Sequence, residues 1–157
     1  MLFRSAARDL ALAAKGHERV LRARLADAQF FYQGDLEITD DDRVEKLKRV
    51  LFQAKLGTMY EKIERVAKIA ENLAVSVAYP PAPDIKDADL KTQVSRAARL
   101  SKADLVSQVV GEFPKLQGVM GRVYATVSGE SPMVAAAIEE HYRPVYSGAP
   151  LPETPVG

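Results

Sequence analysis

The stretch AARLSKADLVSQVVGEFPKLQGVMGRVYA, residues 97–125, decides the fold. Its first part continues the helical period of DADLKTQVSRAARL. Pro114 then opens a new helical run, a position where the missing N–H does no harm. Gly118 and Gly121 lie three apart, and glycines at that spacing on a helix let a second helix approach closely. The overlapping YATVSG admits a short strand, but helix fits it better. GVMG also has the GXXG spacing with which KH domains clamp a nucleic-acid backbone. That motif needs flanking strands and polar or basic middle residues, and here the middle is Val119 and Met120.

Working outward, Leu10, Ala14, His17, Leu21, Leu25 and Ala28 recur at three- and four-residue steps, one face of a helix. QGDLEITDDD reads as a loop, and Thr39 with Asp42 forms a capping box for the next helix. Val44, Leu47, Val50, Leu51 and Ala54 are the buried stripe of that helix. Gly57 ends it in a left-handed cap, and Thr58 with Glu61 is a second capping box. Met59, Ile63, Val66, Ala70, Leu73 and Val77 form the core face that follows, with Glu61–Arg65 and Glu64–Lys68 as pairs on the wet side. The prolines of AYPPAPDI stop the helix. SGESP at 128–132 separates the last two helices, and RPVYSGAPLPETPVG from Arg143 reads as coil or linker. The expectation is an all-α fold of about six or seven helices.

A chain of 157 residues, 47% hydrophobic and 27% charged, has the length and balance of one globular domain. The net charge of +1 exerts no global pull on nucleic acid or membrane, so any electrostatic case rests on local patches. The absence of cysteine excludes disulfides, thiolate metal sites and cysteine nucleophiles, and fits a cytoplasmic protein. No run reaches the ~18 apolar residues of a membrane span, so no membrane role is expected. The opening MLFRSAARDLALAAKG has the arginines and scarce acids of a transit peptide. Asp9 and the unbroken continuation into ERVLRARLADAQFF favour a helix that begins further upstream.

Candidate chemistry is sparse. His17 lies on an apolar helix face and is expected to be partly buried and satisfied. His141 neighbours Glu139 and Glu140, but adjacent helix positions diverge by ~100° and do not converge on one ion. A histidine favoured by the dipole of a helix C-terminus is the simpler account. Ser101, with Lys102 and Asp104, suggests an activated nucleophile, yet its spacing to Asp104 matches a capping box. Basic residues gather in two places. Lys15, Arg19 and Arg22 share a stripe with Arg8 on the first helix. Arg96, Arg99 and Lys102 form a second group ahead of the helix that SKAD opens, and Lys115 and Arg122 follow that helix. Such stripes are solvated faces or phosphate-contact surfaces.

ERVLRARLADAQFFY at 18–32, DRVEKLKRVLFQAKLGTMYEKIERVAKIA at 42–70, the quoted 97–125, AAIEEHYRP and SGAPLP together resemble the middle of the bacterial glycyl-tRNA synthetase β subunit. The resemblance covers residues 18 to about 152 and implies an internal fragment of a longer subunit. It implies a tetramer of two α and two β chains that joins glycine to tRNA-Gly with ATP and magnesium. Both cofactors are used through the α subunit, and none by this fragment. The partners implied are the α subunit, a second β subunit and tRNA-Gly.

The region further resembles an HD-like helical domain, with residues 1–35 a lead-in from a preceding domain, 36–142 the HD-like domain and 143–157 a linker or tail. HD phosphohydrolases place a His-Asp pair after an apolar helix, as in AALLHDIG. AARLSKAD stands there instead, with Ser101 and Lys102 at the pair. Gly57, Thr58 and Met59 offer no ligand where a first histidine would fall, and His141 alone keeps a context like HHExxxGxGYP. One ligand does not hold a divalent ion. The resemblance thus implies a degenerate metal site and no catalytic residue. The leading function is a non-catalytic tRNA-recognition and structural module, with Lys102, Arg96, Arg99, Lys115, Arg122, Lys15, Arg19 and Arg22 as RNA contacts. The rivals are an architectural module without RNA contact and an HD-type metal-dependent phosphohydrolase.

Overall fold

A computed structural model describes residues 10–76 and 87–157. Arg8, Val77 and the proline run of 78–85 lie outside the described residues. Among the described residues there are seven α-helices: α1 (Leu10–Leu36), α2 (Asp40–Lys46), α3 (Met59–Ser76), α4 (Asp87–Leu100), α5 (Gln108–Glu112), α6 (Val119–Val127) and α7 (Pro132–Glu140). Strands β1 (Leu51–Gln53) and β2 (Gly57–Thr58) form one antiparallel hairpin. The fold is all-α, as the helical period implies.

Local chemistry starts most of these helices. The Thr39 hydroxyl accepts from the Asp42 N–H at 3.1 Å, and Thr58 and Glu61 cap each other reciprocally. Ser107 and Ser131 each accept from the amide three residues on, both at 3.2 Å. Such caps satisfy amides that a helix leaves unpaired. Behind them, Val44, Leu47, Ile63, Leu100, Ala125, Val134 and Ile138 bury one core in which α4 packs against α3 and α7, and α6 against α7.

Several local expectations give way to tertiary structure. The second helix does not run to Ala54. It stops at Lys46, passes through a 3-10 turn at Leu47–Arg49 and becomes the hairpin. The Gln53 side chain accepts from the Lys55 and Leu56 amides, and Gly57 takes φ +85° to close the hairpin rather than to end a helix. Leu51 and Ala54 are therefore exposed. Among the described side chains of α3 only Ile63 is fully buried, while Val66 and Leu73 are exposed. Glu61 spends its carboxylate on the Thr58 cap, and Glu64 lies 3.5 Å from Arg99. Pro114 opens a 3-10 turn of three residues, not the main helix, which starts at Val119.

The two glycines have different tasks. A Cβ on Gly121 would stand 2.6 Å from Ile138 Cγ2, so this glycine does bring α6 against α7. Gly118 is not inside the helix. It is the N-cap of α6 at φ +80°, a conformation that favours glycine, with the Tyr142 ring against it.

One carboxylate ties the first helix to the rest. Asp35 is fully buried and accepts from the Gln108 N–H (2.8 Å), the Val109 N–H (3.0 Å) and the Tyr124 hydroxyl (2.7 Å). Burial first, and then this carboxylate, push the Tyr124 pKa up. Arg43 donates to the Asp35 carbonyl and to Asp40 and lies 4.2 Å over the Tyr124 ring. Asp35→Ala orphans three donors and is expected to cost at least about 3 kcal/mol, about 1 for each. Gly121→Ala is expected to cost about 1–3 kcal/mol through overpacking. Urea denaturation with an unchanged slope checks both.

Candidate functional site

Ser101 directly follows α4, and a 3-10 turn at Ala103–Val106 follows Lys102. Ser101 is buried and donates its hydroxyl to the Ala98 carbonyl at 2.8 Å, a bond within its own helix. It is not an N-cap. Asp104 makes no capping box with it either, because its carboxylate accepts from Gly118 N–H at 2.6 Å and Gly121 N–H at 3.2 Å. The aspartate therefore caps α6, from 14 residues upstream of Gly118. Burial raises the Asp104 pKa, and the two amides oppose that rise.

Lys102 is half-buried, with its ammonium 3.7 Å from the centre of the Tyr142 ring, a cation–π contact. Burial, and then the neighbouring charge of Lys62 on α3, pull its pKa down to about 8, against a smaller opposing pull from Asp104. Beside it, His141 Nδ1 lies 2.7 Å from the Ile138 carbonyl. A carbonyl only accepts, so Nδ1 carries the proton and buried Nε2 is a bare lone pair with no protein partner. Burial, then Lys102, lower the His141 pKa to about 4. His141 does cap the end of α7, but as neutral imidazole, because burial outweighs the helix dipole. The Tyr142 hydroxyl is likewise buried without a protein partner, and burial and Asp104 raise its pKa to about 12. A cavity of about 210 Å³ adjoins these groups, lined by Val66, Ala98, Ser101, His141 and Val156 among others.

This donor set does not fit a divalent metal. The serine bonds its own helix, the aspartate caps α6, and a lysine cation stands beside the one imidazole. Nearby acids are also engaged. Glu139 receives Arg122 at 2.5 Å. Glu140 accepts from the Glu153 amide and from the amide and hydroxyl of Thr154, fastening the end of the chain. Burial tends to raise the Glu140 pKa, but those hydrogen bonds prevail and lower it.

The basic residues singled out from sequence scatter. Arg96 is forked between Asp41 (2.8 Å) and Glu130 (2.6 Å), which hold its pKa above the ordinary guanidinium value. Arg99 and Arg122 are paired as described, and Arg22 meets Glu18 at 2.9 Å on open surface. Lys15, Arg19 and Lys115 are exposed. His17 is exposed too, against expectation, because the domain covers only the C-terminal end of that helix face. Sequence reading passed over Lys62, Tyr142 and the capping role of Asp104. Nothing local separates Lys62 from other lysines of α3, whereas Tyr142 beside His141 was a usable signal.

The model of the glycyl-tRNA synthetase beta subunit family matches residues 3–157. The chain belongs to that family. It is 62% identical over 151 residues to the glycine–tRNA ligase beta subunit of Desulforapulum autotrophicum, covering 96% of this chain and 21% of that relative. The corresponding beta subunit of Geobacter sulfurreducens is 51% identical over 149 residues, 95% of this chain and 20% of the relative. That of Syntrophus aciditrophicus is 51% identical over 151 residues, 96% and 21%. The chain thus spans about a fifth of the length of these family members. No helix among the described residues is long and apolar enough to cross a membrane.

The folded pKa of His141 lies below the ordinary histidine value, so the unfolded chain binds more protons between about pH 4 and 6.5. Stability from this group is present above pH 6.5 and lost as pH falls to about 4. The loss is expected to approach roughly 3 kcal/mol. The difference in unfolding free energy between the parent and His141→Gln, measured from pH 7 to 4, checks it. Titration of the His141 ring by NMR, with no change above about pH 5, is the companion observation.

Proposed function

We propose that this chain is a non-catalytic tRNA-recognition and structural module of the β subunit of a tetrameric glycyl-tRNA synthetase. On this reading the HD-like scaffold has lost its metal centre, and Lys102 holds an RNA phosphate where the metal would sit. The observation that carries it is the Lys102 ammonium, half-buried over Tyr142 beside neutral His141, with the charge of Lys62 added. Two neighbouring cations attract an anion and repel a metal ion. On this reading the wider setting is an α subunit that binds ATP and magnesium, a second β subunit, tRNA-Gly and a cytoplasmic location, and the match to glycyl-tRNA synthetase beta subunits supports it. No residue of this chain is assigned to adenylate chemistry. Among the other candidates, exposed Lys115, Lys15 and Arg19 are freer to meet phosphate than Arg96, Arg99, Arg122 and Arg22, which hold carboxylate partners.

A second reading, an architectural module without RNA contact, draws on those same ion pairs and on the net charge of +1. Lys102→Met separates the two, since it keeps an apolar stem on the Tyr142 ring and removes the charge. In the whole enzyme it is expected to weaken tRNA binding and to reduce the slope of log K against log salt by about 0.9 for a duplex contact. An unchanged slope and affinity overturn the phosphate role in favour of the architectural one.

A further inference from the structure

We infer that the α1 face bearing Leu10, Ala14, Leu21 and Leu25 docks a second helix, apolar along its centre and acidic along its flank, from elsewhere in the same longer polypeptide. The inference rests on the reading of this chain as a segment of a β subunit. At helical spacing, this face continues into Ala28, Tyr32 and Asp35. There it meets the domain: Asp35 is fully buried, Tyr32 stacks on Tyr124 at 5.9 Å, and Arg24 lies 4.6 Å over Phe113. Toward the N-terminus the same stripe, with exposed His17 between Ala14 and Leu21, runs on uncovered for about 22 Å. Leu10 is 78% exposed, Leu21 61% and Leu25 69%.

An apolar stripe that begins inside an intramolecular interface and continues past its edge is a surface prepared for more of the same kind of contact. Charge selects the occupant. Residues 10–25 carry Lys15, Arg19, Arg22 and Arg24 against Glu18 alone; Arg22 meets Glu18 and Arg24 lies 3.8 Å from Glu112, and Lys15 and Arg19 are exposed. A second copy of α1 would set those cations against each other. A nucleic-acid backbone would satisfy the cations and leave the leucines in water. A helix with carboxylates beside its apolar stripe answers both. The relatives carry about four-fifths of their length outside the region matched here, so such a helix has ample chain to come from.

The test uses the full-length β chain in its assembled enzyme, with a photo-crosslinking residue at Leu21. The expected product is an intrachain link to a segment beyond this region, apolar at three- and four-residue spacing and net acidic, formed equally with and without tRNA. A link to RNA, to the α subunit or to a second β copy overturns the inference, as does no link at all. In parallel, Leu21→Asp with Leu25→Asp is expected to lower hydrogen-exchange protection of residues 10–25 at least tenfold while residues 97–140 keep theirs. Unchanged protection of 10–25 overturns the docking. Intact-mass measurement of the native chain separates the two levels. A chain near the present length sinks the β-subunit reading itself, whereas a long chain with Leu21 unprotected sinks only the docking.

Discussion

Everything in this domain is arranged around a carboxylate that has no water to bond. Asp35 is fully buried, and a carboxyl group out of water must find hydrogen-bond partners or forfeit its solvation. Its donors come from two directions, the first amides of α5 and the hydroxyl of Tyr124 on α6. Its own carbonyl meanwhile accepts from Arg43 of α2, which pairs with Asp40. One residue at the end of a long helix thereby sets the position of three others. Asp104 repeats the device, its carboxylate lying across the N-terminus of α6. In both cases a short polar side chain supplies the negative charge that a helix N-terminus favours.

The second carboxylate explains the chemical character of the candidate site. Asp104 gives Oδ2 to α6 and Ser101 bonds back to α4, so among these side chains the turn after α4 keeps only the buried Asp104 Oδ1 without a protein partner, too few oxygens for an ion. Lys102 adds a cation and Tyr142 gives it a ring to rest on. His141, kept neutral by burial and by that same cation, offers only a lone pair. The surroundings suit an anion that reaches in from outside far better than a metal held from within. Glu140 meanwhile anchors the segment that follows α7, so the acid beside the histidine is also structural.

Much of the architecture was legible from short-range chemistry. Thr39 with Asp42 and Thr58 with Glu61 are caps that a reader recognises because both partners lie within one helical turn, and both caps exist. Gly121 was legible as a contact glycine for the same local reason. The failures share the opposite character. Val50, Leu51 and Ala54 fit a helix period, yet the chain turns into a hairpin there because Gln53 and Gly57 build a turn. Ser101 and Asp104 have capping-box spacing and make no such bond, since Asp104 finds better donors on a distant helix. His17 lies on an apolar face whose N-terminal half the domain does not cover.

The amino-acid sequence by itself determined the all-α class, the helix starts at Thr39 and Thr58 and membership of the glycyl-tRNA synthetase beta subunit family. Period, caps and family strings are all written in neighbouring residues. Only tertiary structure decided which polar groups are buried, what they bond and which cations remain unpaired. Asp35 and Tyr124 meet across 89 positions, and Arg96 and Glu130 across 34. No local pattern records such pairings, because desolvation acts on groups brought together by the core and not by the chain.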